Sequence, residues 1–97
     1  MPTVSRFLGL TIAIFAGDHG VPHIHARRGS YGRRGRGGAG MRMGVFDMRT
    51  GTMMEGDLDA VDSARVTAWV SIRQKELMED AQLVIEGKKV KKIDPLR

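Results

Sequence analysis

All three histidines of this chain fall within seven residues, in the run Asp18-His19-Gly20-Val21-Pro22-His23-Ile24-His25. Three chemistries are open to such a cluster. The first is general acid–base work, in which a neutral imidazole takes a proton, a protonated one gives a proton, and a carboxylate such as Asp18 fixes tautomer and orientation. Beside arginine, such a pair suits a metal-free cleavage of phosphodiesters. The 2′-hydroxyl of RNA is then the nucleophile, and guanidinium groups steady the charge of the phosphorane. The second is a metal site: His23 and His25 on a strand, joined by His19 or Asp18, supply three N/O ligands and leave a position open. The third is structural, a turn capped by aspartate and stiffened by proline. On the acid–base reading the candidate catalytic residues are His19, His23, His25 and Asp18, with no cofactor. A metal, if one were bound, would sit on His19, His23 and His25.

The elements that must position these residues can be read from periodicity. Leu8 to Phe15 predicts a strand, with Leu10, Ile12 and Ile14 alternating against Thr11, Ala13 and Phe15. Gly17 to Gly20 is a turn by composition, and Pro22 stiffens its exit. From His23 to Arg27 the alternation resumes, with Ile24 and Ala26 on one face and His23, His25 and Arg27 on the other. If Ile24 joins the apolar residues of the preceding strand in the core, both histidines stand on the far side of the sheet. Met41 to Met48 and Thr52 to Gly56 predict two further strands around a short turn at Arg49-Thr50-Gly51.

Beyond Gly56 the period lengthens. Asp59 is placed to cap a helix, with Asp62 three residues on. Val61, Ala64, Ala68, Trp69 and Ile72 form one helical stripe, and Leu77, Ala81, Val84 and Ile85 a second in shifted phase. A kink or break near Arg73–Glu76 reconciles the two. Gly87 is placed to stop the second helix. Val90 and Ile93 in the tail are set to dock or to form a short strand, and the seven methionines are expected to fill the interface between sheet and helices. The predicted fold is α+β: a four-stranded antiparallel sheet followed by two helical segments packed on one face. At 97 residues the chain has room for one domain, 1–97, with a flexible Arg/Gly-rich loop at 27–42 and a basic tail at 88–97.

Charge narrows the classes of partner. The net charge is +5 at pH 7, but residues 27–42 hold six Arg and no acid, whereas residues 43–87 hold nine acids against four bases. A mildly acidic body with two basic appendages points to an anionic partner, RNA or another nucleic acid ahead of a membrane. The loop arginines Arg27, Arg28, Arg33, Arg34 and Arg36, with Tyr31 among them, are the candidate nucleic-acid contacts. Arginine meets phosphate and stacks on bases, while glycine lets the backbone follow a strand. An acidic protein could use the same loop, and so could no partner at all, since lengthening a surface loop costs little closure entropy. With no Cys the chain has neither disulfide nor thiolate site. Its longest uncharged stretch, Phe7 to Gly17, is eleven residues, short of the ~18 that a membrane span needs. A cytoplasmic protein is expected.

Several blocks carry a family resemblance: Asp18-His19-x-x-Pro22-His23-x-His25-Ala26, Thr50-Gly51 followed by Glu55-Gly56-x-Leu58, Val66-x-x-Trp69, Glu76-Leu77, and Lys92-Ile93-x-Pro95-Leu96. Together with the opening Met-Pro-Thr-Val-Ser-Arg-Phe-Leu-Gly-Leu they resemble the small bacterial domain-of-unknown-function family four-one-six-zero. The resemblance covers most of the chain outside residues 27–42. It implies a short protein encoded beside a second small protein, the two forming a toxin–antitoxin type of module with this family as the toxin. An acidic antitoxin-like partner follows from that implication. So does suspicion of Asp18, His19, Pro22, His23 and His25, without assigned roles. The alternative is a non-catalytic binding module that inhibits or regulates a protein or nucleic-acid partner. Two features depart from the family pattern. An Arg/Gly loop replaces a brief Tyr-Gly-like turn, and in the helical region Arg73 and Ala81 stand where a His and a Trp are usual.

Overall fold

The computed structural model describes residues 2–17, 21–29 and 42–96. Five strands, β1 (Thr3–Phe7), β2 (Leu10–Phe15), β3 (His23–Arg28), β4 (Arg42–Asp47) and β5 (Met53–Gly56), precede two helices, α1 (Ala60–Ile72) and α2 (Gln74–Ile85). The strands pair antiparallel in chain order, β1-β2-β3-β4-β5. The α+β architecture is as expected, but among the described residues the sheet has five strands rather than four.

The extra strand comes from Leu8 and Gly9. They belong to no strand and are instead the two central residues of a hairpin joining Phe7 to Leu10. Both have positive φ, 51° for Leu8 and 85° for Gly9, as a type I′ turn demands. Leucine rarely adopts that conformation, so an apolar run hides the turn. At the opposite edge, Gly56 pairs with Gly44 at a φ of 124°. A Cβ there would run into the Met43 carbonyl and lie 2.6 Å from the Gly44 Cα, so β5 can approach β4 only as glycine.

Leu10, Ile12, Ile14, Ile24, Ala26 and Phe46 point to one side of the sheet and are buried with Val66, Trp69, Val70, Leu77 and Ala81 of the helices. Trp69 is fully buried, with its ring 5.3 Å from that of Phe7. Its Nε1–H donates to the Asp94 carbonyl at 2.8 Å, and the Ile93 amide donates to the Val4 carbonyl at 2.8 Å. The tail therefore docks along the β1 edge without becoming a strand, and it buries Ile93.

Asp59 caps α1 by accepting from the Asp62 amide at 2.8 Å, and α1 gives way to α2 at Arg73, as the phase shift requires. Gly87, at φ 72°, ends α2 in a Schellman motif, with Lys88 N donating to Leu83 O at 2.8 Å and Gly87 N to Val84 O at 3.0 Å. The predicted stripe of α1 is largely its outer face. Val61 and Ile72 are 58% and 62% exposed, and Ala64 and Ala68 are exposed, whereas Asp62, Val66, Trp69 and Val70 are buried. The cause is a charged residue on the buried face: the Arg28 guanidinium, contributed by the sheet, satisfies Asp62. Nor do the methionines all fill the core. Met48 is buried and Met53 packs against it, but Met54 and Met78 are 45% and 40% exposed.

Candidate functional site

The helices cover one face of the sheet, and β3 divides its residues strictly between the two faces. Ile24 and Ala26 enter the core, while His23, His25 and Arg27 stand half-buried on the open face. Register fixes their neighbours. His23 lies between Phe15 and Asp47, His25 between Ala13 and Val45, and Arg27 between Thr11 and Met43. The hairpin at Leu8-Gly9 adds Arg6 opposite Thr11, and β5 adds Glu55 opposite Val45. Rings thus occupy one end of the open face and two arginines the other.

The two imidazoles stack, with ring centroids 5.2 Å apart and planes 24° from parallel, and the Phe15 ring lies 4.7 Å from that of His23. His23 Nδ1 is 3.0 Å from the Val21 carbonyl. A carbonyl only accepts, so Nδ1 carries the hydrogen, and in the neutral ring Nε2 is left as the basic nitrogen. The backbone just before β3 secures this arrangement, because the Pro22 carbonyl accepts from the Met48 amide at 3.1 Å and pins the chain between Val21 and His23. The His25 pKa is lowered from its ordinary 6.5, first by burial and then by the His23 charge, with Glu55 pulling the other way. Near pH 7 His25 is therefore neutral and able to accept a proton. Asp47, on the same face, turns its carboxylate onto Arg49, whose amide donates at 2.8 Å and whose Nη2 lies at 3.2 Å; this pairing lowers the carboxyl's pKa.

Arg28, one residue beyond Arg27, lies on the opposite face. Its Nε and Nη2 donate to the two oxygens of the buried Asp62 at 2.5 and 3.0 Å, and Nη2 also reaches the Leu8 carbonyl. Its charge is engaged in joining the sheet to α1. Arg27 and Arg28, expected in a flexible loop over 27–42, are the last residues of β3, and Arg42 opens β4, because their backbones pair in the β3–β4 ladder. Asp18, His19, Tyr31, Arg33, Arg34 and Arg36, and with them the centre of that expected loop, lie outside the described residues. Among the described residues, no group of three or more His, Cys, Asp or Glu side chains is placed to hold a metal ion. Among them, too, no helix is long and apolar enough to cross a membrane. The sequence reading missed Phe15, Arg6 and Glu55 as members of the site. Only Phe15 carried a local signal, its place opposite the core residues of β2.

Arg73 belongs to the helical layer, where its guanidinium lies 3.5 Å from Glu76 and 4.0 Å from Asp94. The sheet stands between it and the histidine pair. Ala81 is buried against the core. No curated protein and no solved structure matches the chain. The family model described as Domain of unknown function (DUF4160) matches residues 9–80, from the Leu8-Gly9 hairpin into α2. The matched span carries His23, His25 and Arg27 together, and the chain belongs to that family, the one its motifs resemble.

Proposed function

We propose that this chain is the toxin-like member of a bacterial two-gene module of the toxin–antitoxin type, acting in the cytoplasm. On this reading its open sheet face binds RNA and cleaves it through His23 and His25. The observation that carries the reading is the stacked imidazole pair beside Arg27, with the His23 tautomer set by Val21 and His25 held neutral. His25 takes the proton of a 2′-hydroxyl, whose oxygen attacks the adjacent phosphorus. His23, acting in its doubly protonated form with Nδ1–H still on the Val21 carbonyl, gives the Nε2 proton to the departing 5′-oxygen, leaving a 2′,3′-cyclic phosphate and a free 5′-hydroxyl. Arg27, two residues along β3 from His25, is the cation that steadies the charge of the phosphorane on this reading. Arg33, Arg34, Arg36 and Tyr31 extend the contact along the RNA, and Asp18 and His19 assist at the turn. Arg28 is left to its role as a brace. An acidic antitoxin-like protein would cover the same basic surface.

The test is cleavage of RNA by the purified protein and by His23→Ala and His25→Ala. Loss of either proton-transfer group should slow cleavage by about 10²–10⁴-fold. Cleavage persisting in both variants would take these residues out of the mechanism. A second reading, a non-catalytic module that regulates a nucleic-acid or protein partner, draws on the Phe15–His23–His25 ring contacts, which suit binding as well as proton transfer. It expects tight binding with no turnover by the unaltered protein.

A further inference from the structure

The arrangement of rings and cations on the open face says which form of nucleic acid it fits, an inference that rests on the RNA reading above. Phe15, His23 and His25 make a run of ring contacts at 4.7 and 5.2 Å, and Phe15 at the end of that run is 40% exposed. Arg27 lies two residues along β3 from His25, about 7 Å at strand rise, and register sets Arg6 in the same cross-strand row, two strands over. Aromatic faces at one end and guanidinium groups at the other match a nucleotide whose base has left its pair and whose phosphate points away from it. A duplex hides its base faces inside the stack and offers only phosphates and groove edges, so the ring run would go unused. Negative charge on this face bounds the path. Asp47 is neutralised by Arg49, but Glu55 is exposed on the edge strand β5 and would repel a backbone crossing there.

We propose that the open face takes single-stranded RNA, stacking an unpaired base on the Phe15–His23–His25 rings and seating a neighbouring phosphate between Arg6 and Arg27, on the β1–β3 side of the sheet. The chain's net charge of +5 adds a non-specific attraction that would act on duplex and single strand alike, so the rings are what must discriminate.

The experiment uses the full chain and fluorescence anisotropy. The probes are an eight-nucleotide 2′-O-methyl RNA, which cannot be cut through its 2′-oxygen, the same strand annealed to its complement, and an abasic strand of equal length. Single strand should bind roughly tenfold or more tightly than duplex or abasic strand, in keeping with base-on-aromatic stacking. Phe15→Ala should erase most of that preference, while Phe15→Tyr, which keeps the ring, should retain it. Equal affinity for all three probes would overturn this inference and leave the RNA reading standing. Binding to none of them would overturn both. The comparison among probes is made on unaltered protein, so it does not depend on whether a variant folds.

Discussion

Arg27 and Arg28 are neighbours in sequence and have opposite fates. Arg28 points toward the helices, where it ties itself to Asp62 and to the Leu8 carbonyl, joining β3, the first hairpin and α1. Arg27 points the other way, onto the open face that carries both imidazoles. On the closed face, Arg28 and Asp62 are engaged in the bonds that hold the sheet to α1. The open face keeps Nε2 of His23, and His25 with its lowered pKa, half-exposed on a sheet that the helices leave bare. A single-residue step on a strand, with its period of two, therefore separates a structural cation from a candidate functional one.

The contrast can be broken most severely from the closed side. Arg28→Met should cost about 3 kcal/mol in denaturant unfolding, because among the described residues it leaves the buried Asp62 carboxylate with only Arg65, at 3.3 Å, as a cationic partner. His25→Gln on the open face should cost less than about 1 kcal/mol, as surface substitutions usually do. Equal costs would mean that the faces are not divided as described. Acid should also distinguish them. Arg28 holds the Asp62 pKa below its ordinary 3.8, so the stability it contributes is present above that value and is lost as pH falls through the lowered one. The variant should therefore be less sensitive to acid than the parent below about pH 4.

A gentler change should strengthen the hairpin that brings Arg6 to the open face. Leu8 is half-exposed and sits at positive φ, so Leu8→Asn, which makes an Asn-Gly turn, should raise stability by about 1 kcal/mol in thermal or urea unfolding. No gain would mean that Leu8 contributes packing which offsets its strained backbone.

The smallest effect belongs to His25 itself. Its pKa is lowered in the folded chain, so on acidification the unfolded chain takes up the proton first. Its contribution is fully present above pH 6.5 and is lost as pH falls from there through the folded value. Urea unfolding at pH 7.5 and 5.5 should show a modest decline that His25→Gln reduces. An unchanged decline would place the titration elsewhere.

Much of this organisation is written locally. Alternation along His23–Arg27 puts both imidazoles on one face, Asp59 and Gly87 bound the helical region, and the phase step at Arg73 marks the break between helices. Each of these signals spans only a few residues, and short-range sterics or one hydrogen bond suffice to enforce it.

What local pattern does not carry is pairing at long range. The stripe of α1 cannot be read without knowing that Asp62 finds Arg28, a residue thirty-four positions away, which turns a charged side chain into a buried one. The first strand is invisible until a leucine is seen to occupy a left-handed turn, a strain repaid by β1 pairing along β2 and by the tail closing over the Val4 carbonyl. Composition and period therefore settle which residues can share a face. Strand register and the packing of helices on sheet decide which of those residues meet, because those contacts join segments whose sequences hold no record of one another.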